Sequence, residues 1–241
     1  MKYAILGDIH ANLEALQAVL EDARNQQATH YVCLGDVVGY NADPVECLRL
    51  VRDELKAPVV RGNHDHYCSH PDSLEGFHPL AADVVDWTRQ QLSSTDIQFL
   101  KHLPYSRQVE SFTVVHSTLD TPESWGYVFD KLEAEASFSY QTTPICFYGH
   151  THVPIAFIKT GSVQMGKYSK IKVSVGRKLF INAGSVGQPR DGDPRAAYVL
   201  YDLINNEIEL RRIPYDIEAA QRKVRAAGLP ERIAARLALG R

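Results

Sequence analysis

The first 65 residues alternate short apolar runs with segments of helical period. Apolar, β-rich runs occupy residues 2–6, 31–34 and 58–60. Between them, apolar residues recur at helical spacing over residues 13–20, and Asp43-Pro44 opens a second helix with proline at its first position. This order predicts a β-α-β-α-β arrangement, which implies a parallel sheet with right-handed crossovers.

Helices and strands are also predicted beyond residue 65, in a less regular order. The helices are expected over residues 80–92, 95–103, 131–137, 217–227 and 231–239. The strands are expected over residues 108–115, 144–147, 155–158, 162–165, 171–175, 179–181, 196–203 and 207–213, and those after residue 154 are interpreted as antiparallel hairpins. No repeat, low-complexity tract or linker interrupts the chain, so one domain over residues 1–241 is expected.

Composition narrows the class of protein. Apolar residues make up 44% and charged residues 23% of the chain, which is typical of a folded protein with an adequate core. The formal charge of −3, without a long basic stripe, argues against a protein that coats nucleic acid. No run approaches the ~20 apolar residues that cross a bilayer, and the segment MKYAILGD at the start of the sequence lacks the pattern of a secretory signal, so none is expected. Four cysteines without a CxxC pair are typical of free thiols in a reducing cytosol, so a cytoplasmic protein is expected; a homo-oligomer stays open.

Polar residues of a similar kind follow five of the predicted strands. In open α/β sheets, sites form outside the carboxyl ends of the strands, so loops that follow neighbouring strands meet at one edge. Here these loops carry carboxylates, an amide and imidazoles: Asp8 with His10, Asp36, Asn63 with His64, His116, and His150 with His152. Convergence of these loops would gather a ligand set that is too rich for one metal ion.

The residue types favour two divalent cations. Imidazole together with carboxylate suits Mn, Fe, Zn, Ni or Co, of which we favour Mn, whereas Mg and Ca prefer shells made of oxygen alone. Asp36 is the candidate carboxylate to bridge both ions. Two ions ~3.5–4 Å apart can hold a hydroxide between them and clamp a phosphoryl group.

Each of these residues alone has a simpler explanation. A single aspartate after a strand, such as Asp8 or Asp36, is usually part of a turn or a helix cap. The Gly-Asn-His sequence at residues 62–64 alone is more often a turn, and His116 alone is more often structural. The His-Thr-His sequence at residues 150–152 is a stronger signal, because imidazoles beside buried residues are costly unless they bind or pair. Together, at the same end of five strands, these residues favour a metal site.

In their order, the motifs resemble those of calcineurin-like metallophosphoesterases. The matching segments are Asp8-Ile9-His10, Gly35-Asp36, Gly62-Asn63-His64-Asp65 and Gly149-His150-Thr151-His152. The chain is most similar to small bacterial members with a GDIHAN start and an NAGSVGQPR segment, here residues 182–190. The resemblance implies an α/β fold, namely a four-layer α/β/β/α sandwich of two mixed sheets, with a dimetal site at the edge formed by the carboxyl ends of strands.

The resemblance also implies which ligands hold each ion. The first metal would take Asp8, His10, Asp36 and His152, and the second would take Asp36, Asn63, His116 and His150. The family usually follows the histidine at position 116 with glycine, whereas this chain has Ser117, a departure that concerns the shape of the loop. Alternate residues of an extended segment point to opposite sides, so residues 150–152 must leave strand geometry if both rings face the ions.

The family pattern implies His64 as the proton donor to the leaving group, while a metal-bridging hydroxide attacks phosphorus in line with the leaving oxygen. An imidazole suits the donor role because its unperturbed pKa of ~6.5 lies near working pH. Asp36 would serve catalysis as the bridging carboxylate. Asp65 would either orient His64 or close the turn.

Four further residues are candidates to bind the substrate, each with an alternative. Arg61 and Arg190 could grip phosphate oxygens through their planar guanidinium groups, or form surface ion pairs. Asn12 could contact the substrate or cap the first helix. Ser185 lies in the glycine-flanked loop 183–187, whose backbone N–H groups could cradle an anion, although a plain turn fits equally well.

The predicted function is that of a phosphodiesterase acting on a small nucleotide-like substrate. A phosphomonoesterase, including a protein Ser/Thr phosphatase, is the alternative, because the family contains both and the metal ligands do not separate them. A scaffold that binds partners without catalysis is a third interpretation, but it would be marked by lost ligands, and all of the predicted ligands are present here. The expected partner is a small-molecule phosphoester, with neither nucleic acid nor a membrane.

Overall fold

The computed structural model describes residues 1–72, 74 and 79–241. The strands in these ranges are β1 (Lys2–Leu6), β2 (His30–Cys33), β3 (Ser106–Val109), β4 (Phe112–Val115), β5 (Ile145–Tyr148), β6 (Ala156–Thr160), β7 (Ser162–Gly166), β8 (Lys170–Lys172), β9 (Lys178–Asn182), β10 (Ala196–Asp202) and β11 (Glu207–Ile213). The helices are α1 (Leu13–Asn25), α2 (Pro44–Arg49), α3 (Asn63–Ser69), α4 (Pro79–Gln91), α5 (Ser94–Lys101), α6 (Lys131–Tyr140), α7 (Ile217–Ala226) and α8 (Glu231–Leu239). A π-helical turn, Leu50–Glu54, extends α2.

The strands form two mixed sheets. The first sheet has the order β2-β1-β10-β11-β8, in which β1 and β2 are parallel. The second has the order β3-β4-β5-β9-β6-β7, in which β4, β5 and β9 are parallel. Parallel strands therefore lie side by side in each sheet, and the loops that follow their carboxyl ends lie next to one another.

Alternate residues of the strands face two different cores. In β1, Tyr3 faces the second sheet, where its ring meets that of Phe112 edge to face at 5.2 Å between centroids. The next residue, Ala4, packs with Leu16 of α1 on the opposite face. On the outer side of the second sheet, α6 covers a third cluster. The layers run helix, sheet, sheet, helix, which confirms the predicted α/β/β/α sandwich.

Two predictions about strands are wrong. Residues 58–60 make one isolated bridge, between Cys33 and Val59, because Pro58 has no N–H to donate and the Arg61 N–H bonds to the Pro104 carbonyl instead. The region around residues 171–181 does not form a local hairpin. β8 pairs with β11, and β9 lies between β5 and β6. Both faces of β9 pack against apolar clusters, which is typical of a central strand.

The last two helices pack as a pair against α4. Ile233 of α8 shares a buried apolar cluster with Val84 of α4. The Lys223 ammonium of α7 lies 2.6 Å from the Glu14 carboxylate and 2.9 Å from the Asp43 carboxylate, which joins α7 to the first two helices. Within the described ranges, no helix is both long and apolar enough to span a bilayer.

Candidate dimetal site

The loops after the parallel strands bring the predicted ligands together. Three groups of buried ligand atoms, within 4.8 Å of one another in each group, are Asp8, His10 and His152; His10, Asp36 and His64; and Asp36, His116 and His150. We refer to Asp8, His10 and His152 as the inner half-site, and to Asn63, His116 and His150 as the outer half-site. Asp36 lies between them, because its Oδ2 is 3.5 Å from His10 Nε2 and 3.4 Å from His116 Nε2.

Much of the cluster is held by left-handed backbone. The φ angles lie between +48° and +67° at five of the clustered residues: Asp8, His10, Asp36, His150 and His152. Such conformations cost roughly 1–3 kcal/mol each for residues with a side chain, and they concentrate at functional sites. They also take residues 150–152 out of strand geometry, as the two rings require, so that both face the cluster.

The inner half-site orients two imidazoles toward one point. The Nδ1 of His10 is 3.2 Å from the Val38 carbonyl, and the Nδ1 of His152 is 2.6 Å from the Gln188 carbonyl. A carbonyl only accepts, so each Nδ1 carries the hydrogen and each Nε2 presents a lone pair. These two Nε2 atoms lie 3.1 Å apart, and Asp8 Oδ1 is 3.4 Å from that of His152. Facing lone pairs repel unless a cation lies beside both, so this donor set fits a metal ion.

The outer half-site repeats this arrangement with different ring atoms. The Nδ1 of His116 donates to the Leu34 carbonyl at 2.9 Å, and its Nε2 lies 3.1 Å from both Asn63 Oδ1 and His150 Nδ1. His150 donates from Nε2 to the Trp125 carbonyl at 2.9 Å, so its Nδ1 is the free donor atom. The set of two imidazole nitrogens, an amide oxygen and the neighbouring Asp36 fits a second divalent cation.

The buried negative charge of the cluster also favours a bound cation. Burial raises the pKa of Asp8 to about 7, and the charge of Asp36 adds to the effect. Burial alone would lower the pKa of His116, but the Asp36 carboxylate overcomes this and raises it to about 9. His116 therefore holds a proton beside Asp36 in the absence of metal. A divalent cation would supply this positive charge in its place.

Two glycines allow the backbone to approach the carboxylates. A Cβ on Gly149 would lie 2.5 Å from Asp8 Oδ2, and a Cβ on Gly62 would overlap Asp36 Oδ1. The His150 N–H donates to Asp8 Oδ1 at 3.0 Å, and the His64 N–H donates to Asp36 Oδ1 at 2.8 Å. Glycine at these two positions therefore leaves room for the carboxylates, which the backbone N–H groups of His150 and His64 hold in position.

Asp65 closes the turn rather than orienting His64. Its two carboxylate oxygens accept four backbone N–H groups, from Asp36 (2.7 Å), Val37 (2.9 Å), Val38 (3.3 Å) and Gly62 (3.1 Å). This carboxylate thus joins the loop after β2 to the start of α3.

His64 itself lies beside the cluster. Its ring centroid is 4.9 Å from that of His10 and 4.4 Å from that of Tyr40. In the part of the chain that the structure describes, its buried Nδ1 has no hydrogen-bond partner. Burial lowers the pKa of His64 to about 4, so the ring is neutral in the free protein.

The two arginine candidates differ in their positions. The guanidinium of Arg61 donates to the Lys101 carbonyl and lies 4.9 Å from the centroid of the Tyr105 ring. Arg190 lies 5.5 Å from the centroid of the Tyr40 ring, which also contacts His10. Arg190 is therefore the arginine that the structure brings to the cluster most directly.

Asn12 and Ser185 make hydrogen bonds within the protein. The buried Asn12 side chain accepts from the Ala15 N–H at 3.1 Å, which caps α1, and donates to the Gly187 carbonyl at 2.9 Å. Ser185 Oγ donates to the Asp8 carbonyl at 2.8 Å and accepts the Gln188 N–H at 2.8 Å. Asn12 therefore caps α1, and Ser185 closes the turn of its own loop and supports the Asp8 loop.

Sequence reasoning missed the aromatic side chains around the cluster. The Tyr127 ring stacks on that of His150 at 4.2 Å between centroids, and Tyr40 separates His10 from Arg190. Neither tyrosine belongs to a strand or helix, so neither carries a periodic signal. The sequence clue for Tyr40 was its place four residues after Asp36.

Comparison with known proteins identifies the family. The model of the calcineurin-like phosphoesterase superfamily domain matches residues 1–206, and the chain belongs to this superfamily. This confirms the resemblance drawn from the ordered motifs. Residues after 206, which include β11, α7 and α8, lie beyond the match.

Several relatives cover most of the chain. A metallophosphoesterase from Sphaerobacter thermophilus is 40% identical, with a TM-score of 0.89 and coverage of 100% of this chain and 99% of that one. An uncharacterized protein of Methanocaldococcus jannaschii is 38% identical over 99% of this chain and 98% of its own length. Phosphodiesterase YfcE of Escherichia coli is 26% identical over 86% of this chain and 89% of its own. The family and the ligand cluster together define a metal-dependent phosphoester hydrolase.

Proposed function

We propose that this protein is a phosphodiesterase that hydrolyses a small nucleotide-like phosphodiester with two divalent cations, for which manganese is the favoured identity. One observation carries the proposal. Two pairs of imidazole nitrogens, His10 with His152 and His116 with His150, each lie 3.1 Å apart on either side of Asp36. This arrangement offers two adjacent cation positions, which is the geometry that clamps a phosphoryl group.

The proposed ligand sets follow the two half-sites. Asp8, His10, Asp36 and His152 would hold the first ion, and Asp36, Asn63, His116 and His150 would hold the second. When bound, two such cations lower the pKa of a water molecule and neutralise the charge that grows on the phosphoryl oxygens. The backbone carbonyls at Nδ1 of His10, His116 and His152 would keep these rings in the binding tautomer.

His64 is the proposed proton donor to the leaving oxygen. Its ring lies against His10, and its Nδ1 has no protein partner among the described residues. The pKa of about 4 in the free protein reflects burial first, then the opposing charges around the ring. An anionic phosphoester in contact with the ring favours the protonated imidazole, so substrate binding would raise this pKa toward working pH.

Exposed aromatic rings support a nucleotide-like substrate. Tyr127 is 48% exposed and Phe129 is 53% exposed, yet their rings stack nearly parallel, 5.5 Å apart between centroids. The same Tyr127 ring stacks on His150 of the outer half-site. Aromatic rings that face solvent beside a phosphoryl site suit the stacking of a nucleobase.

A substrate panel with metal control tests the proposal. The protein would be treated with an excess of chelator, reloaded with Mn, Zn, Co, Ni or Mg, and assayed on bis-p-nitrophenyl phosphate, p-nitrophenyl phosphate and a nucleoside 5′-phosphate p-nitrophenyl ester. We expect no turnover after chelation, recovery that is strongest with Mn, and preference for the diesters. Preference for the monoester would replace the proposal by a phosphomonoesterase, and absence of metal-dependent turnover would favour a scaffold.

A further inference from the structure

The Tyr40 ring contacts two histidines of the ligand cluster and also lines a neighbouring cleft. Its ring lies 4.7 Å from that of His10 and 4.4 Å from that of His64, measured between centroids. The cleft has a volume of about 180 Å³ and is lined by Tyr40, Leu80, Ala81, Arg190, Arg232 and Arg236. A ligand bound at the cluster could therefore extend past Tyr40 into a space bordered by three guanidinium groups.

Among the residues that the structure describes, no carboxylate pairs with any of these three arginines. Among the described residues, Arg190 donates to Gln188 Oε1 at 2.8 Å, and no ion pair involves Arg190, Arg232 or Arg236. Other arginines nearby are neutralised. Arg225, for example, lies 2.7 Å from the Glu231 carboxylate. The protein as a whole carries a formal charge of −3, so the positive charge that the described residues give this cleft is a local feature rather than a reflection of net charge.

The scaffold holds the arginines together against their mutual repulsion. Arg232 and Arg236 are four residues apart on α8, which places them on one face of the helix. The adjacent face of the helix, with Ile233 and Leu237, is buried, and Ile233 packs against α4. Burial and the charges of Arg190 and Arg232 lower the pKa of Arg236. An anion bound in the cleft would relieve this repulsion.

We propose that Arg190, Arg232 and Arg236 form a subsite for a second phosphate of the substrate, so that the natural substrate carries at least one phosphate beyond the scissile one. This inference rests on the proposed phosphodiesterase function. Guanidinium groups present planar pairs of donors that match phosphate oxygens. Arg232 and Arg236 lie beyond residue 206, so α8 would add this selectivity to the family's shared domain.

Steady-state kinetics on paired substrates test the subsite. The metal-loaded full chain and an Arg232→Gln/Arg236→Gln double variant would be assayed on a nucleoside 5′-phosphate p-nitrophenyl ester and on a dinucleoside tetraphosphate. We expect the ratio of kcat/KM for the tetraphosphate to kcat/KM for the monophosphate ester to fall at least about tenfold in the variant, mainly through KM. Arg222→Gln, which removes an exposed arginine of α7, is the matched control and should leave the ratio unchanged.

Calorimetry of the metal-free chain separates this inference from the proposed function. Inorganic tripolyphosphate should bind, and the double variant should bind it at least about tenfold more weakly. If neither substrate is hydrolysed but this difference persists, the subsite stands and the phosphodiesterase function fails. If both substrates are hydrolysed and the double variant leaves the ratio of kcat/KM values unchanged, the subsite is overturned. Equally tight binding of inorganic phosphate and tripolyphosphate would overturn it too, since the cleft would then hold a free phosphate.

Discussion

The inner and outer half-sites use similar donors but differ in their surroundings. In the inner half-site, the exposed fractions of Asp8, His10 and His152 are 0%, 0% and 2%, and both rings are held through Nδ1 by backbone carbonyls. In the outer half-site, Asn63 is half-buried, and His150 is held through Nε2 by a loop carbonyl beneath the exposed Tyr127 ring.

Because of this difference, one cluster can hold a metal ion firmly and still admit a substrate. Buried ligands whose rings are already oriented lose little freedom when they bind an ion, so the inner half-site should hold its ion more tightly. The outer half-site has its open side toward the aromatic rings, so it should face the substrate. Four substitutions test this division between the half-sites.

The largest effect is expected from Asp36→Asn, because this carboxylate belongs to both half-sites. We expect kcat/KM for bis-p-nitrophenyl phosphate to fall by about 10³-fold or more, since two-metal stabilisation contributes several kcal/mol. Elemental analysis should find fewer than two ions per chain. Asp96→Asn removes another buried carboxylate, held by Arg52 outside the cluster, and should keep both ions. Two retained ions with full activity in Asp36→Asn would contradict the shared role.

His64→Asn should lower kcat by about 10²- to 10⁴-fold for a diester with an alkyl leaving group, because that oxygen needs a proton. The loss should be much smaller for a p-nitrophenyl leaving group, which departs as a stable anion. Metal content should stay at two ions, since neither half-site is altered. His66→Asn, two residues along α3 and paired with Asp72, is the control. Equal losses for both leaving groups would argue against proton donation.

Gly149→Ala should weaken the inner half-site selectively. The new Cβ would lie 2.5 Å from Asp8 Oδ2 and must displace that carboxylate, at a cost of about 1–3 kcal/mol. We expect the variant to bind the inner ion at least about tenfold more weakly than the wild type does. The measurement is the metal retained per chain during a chelator titration. Gly166→Ala is the control, because its Cβ would meet nothing within 4 Å. Unchanged retention in Gly149→Ala would show that the loop adapts freely.

Tyr127→Ala should have the smallest effect and should act through the outer side. Loss of a stacked base costs about 1–3 kcal/mol, so KM for a nucleotide diester should rise by about tenfold. Metal content should remain at two ions. Tyr140→Ala, which removes another exposed tyrosine from α6, should leave KM unchanged. Loss of metal from the variant would instead indicate that Tyr127 supports His150 and does not bind the substrate.

Much of the fold and the clustering of the ligands could be predicted from local sequence. The strands β1, β2 and β5 end two or three residues before Asp8, Asp36 and His150, and the carboxyl ends of parallel strands share an edge. The predicted strands differ from the structure where hydrogen bonds between distant segments override the local pattern. Residues 58–60 read as a strand, yet their pairing stops after one bridge because of proline and the contact to Pro104.

The finer organisation of the site depends on contacts between distant segments. His150 exposes Nδ1 because Nε2 bonds to Trp125, 25 residues earlier in the chain. Asp65 accepts N–H groups from a loop that lies 27 to 29 residues before it. Tyr127 and Arg236 come from segments without a motif. No local sequence pattern encodes such pairings. The role of Asp65 therefore could not be decided from the sequence, and the aromatic rings and the arginine cleft could not be predicted from it.

The left-handed backbone of the cluster has a consequence for protein engineering. Idealised scaffolds avoid positive φ at residues with a side chain. Five of the clustered residues here depend on that conformation. Grafting their side chains onto a regular strand or helix would aim the donor atoms in the wrong directions, so transplantation of this site would require the irregular loops themselves, together with the hydrogen bonds of Asp65 and Ser185 that brace them.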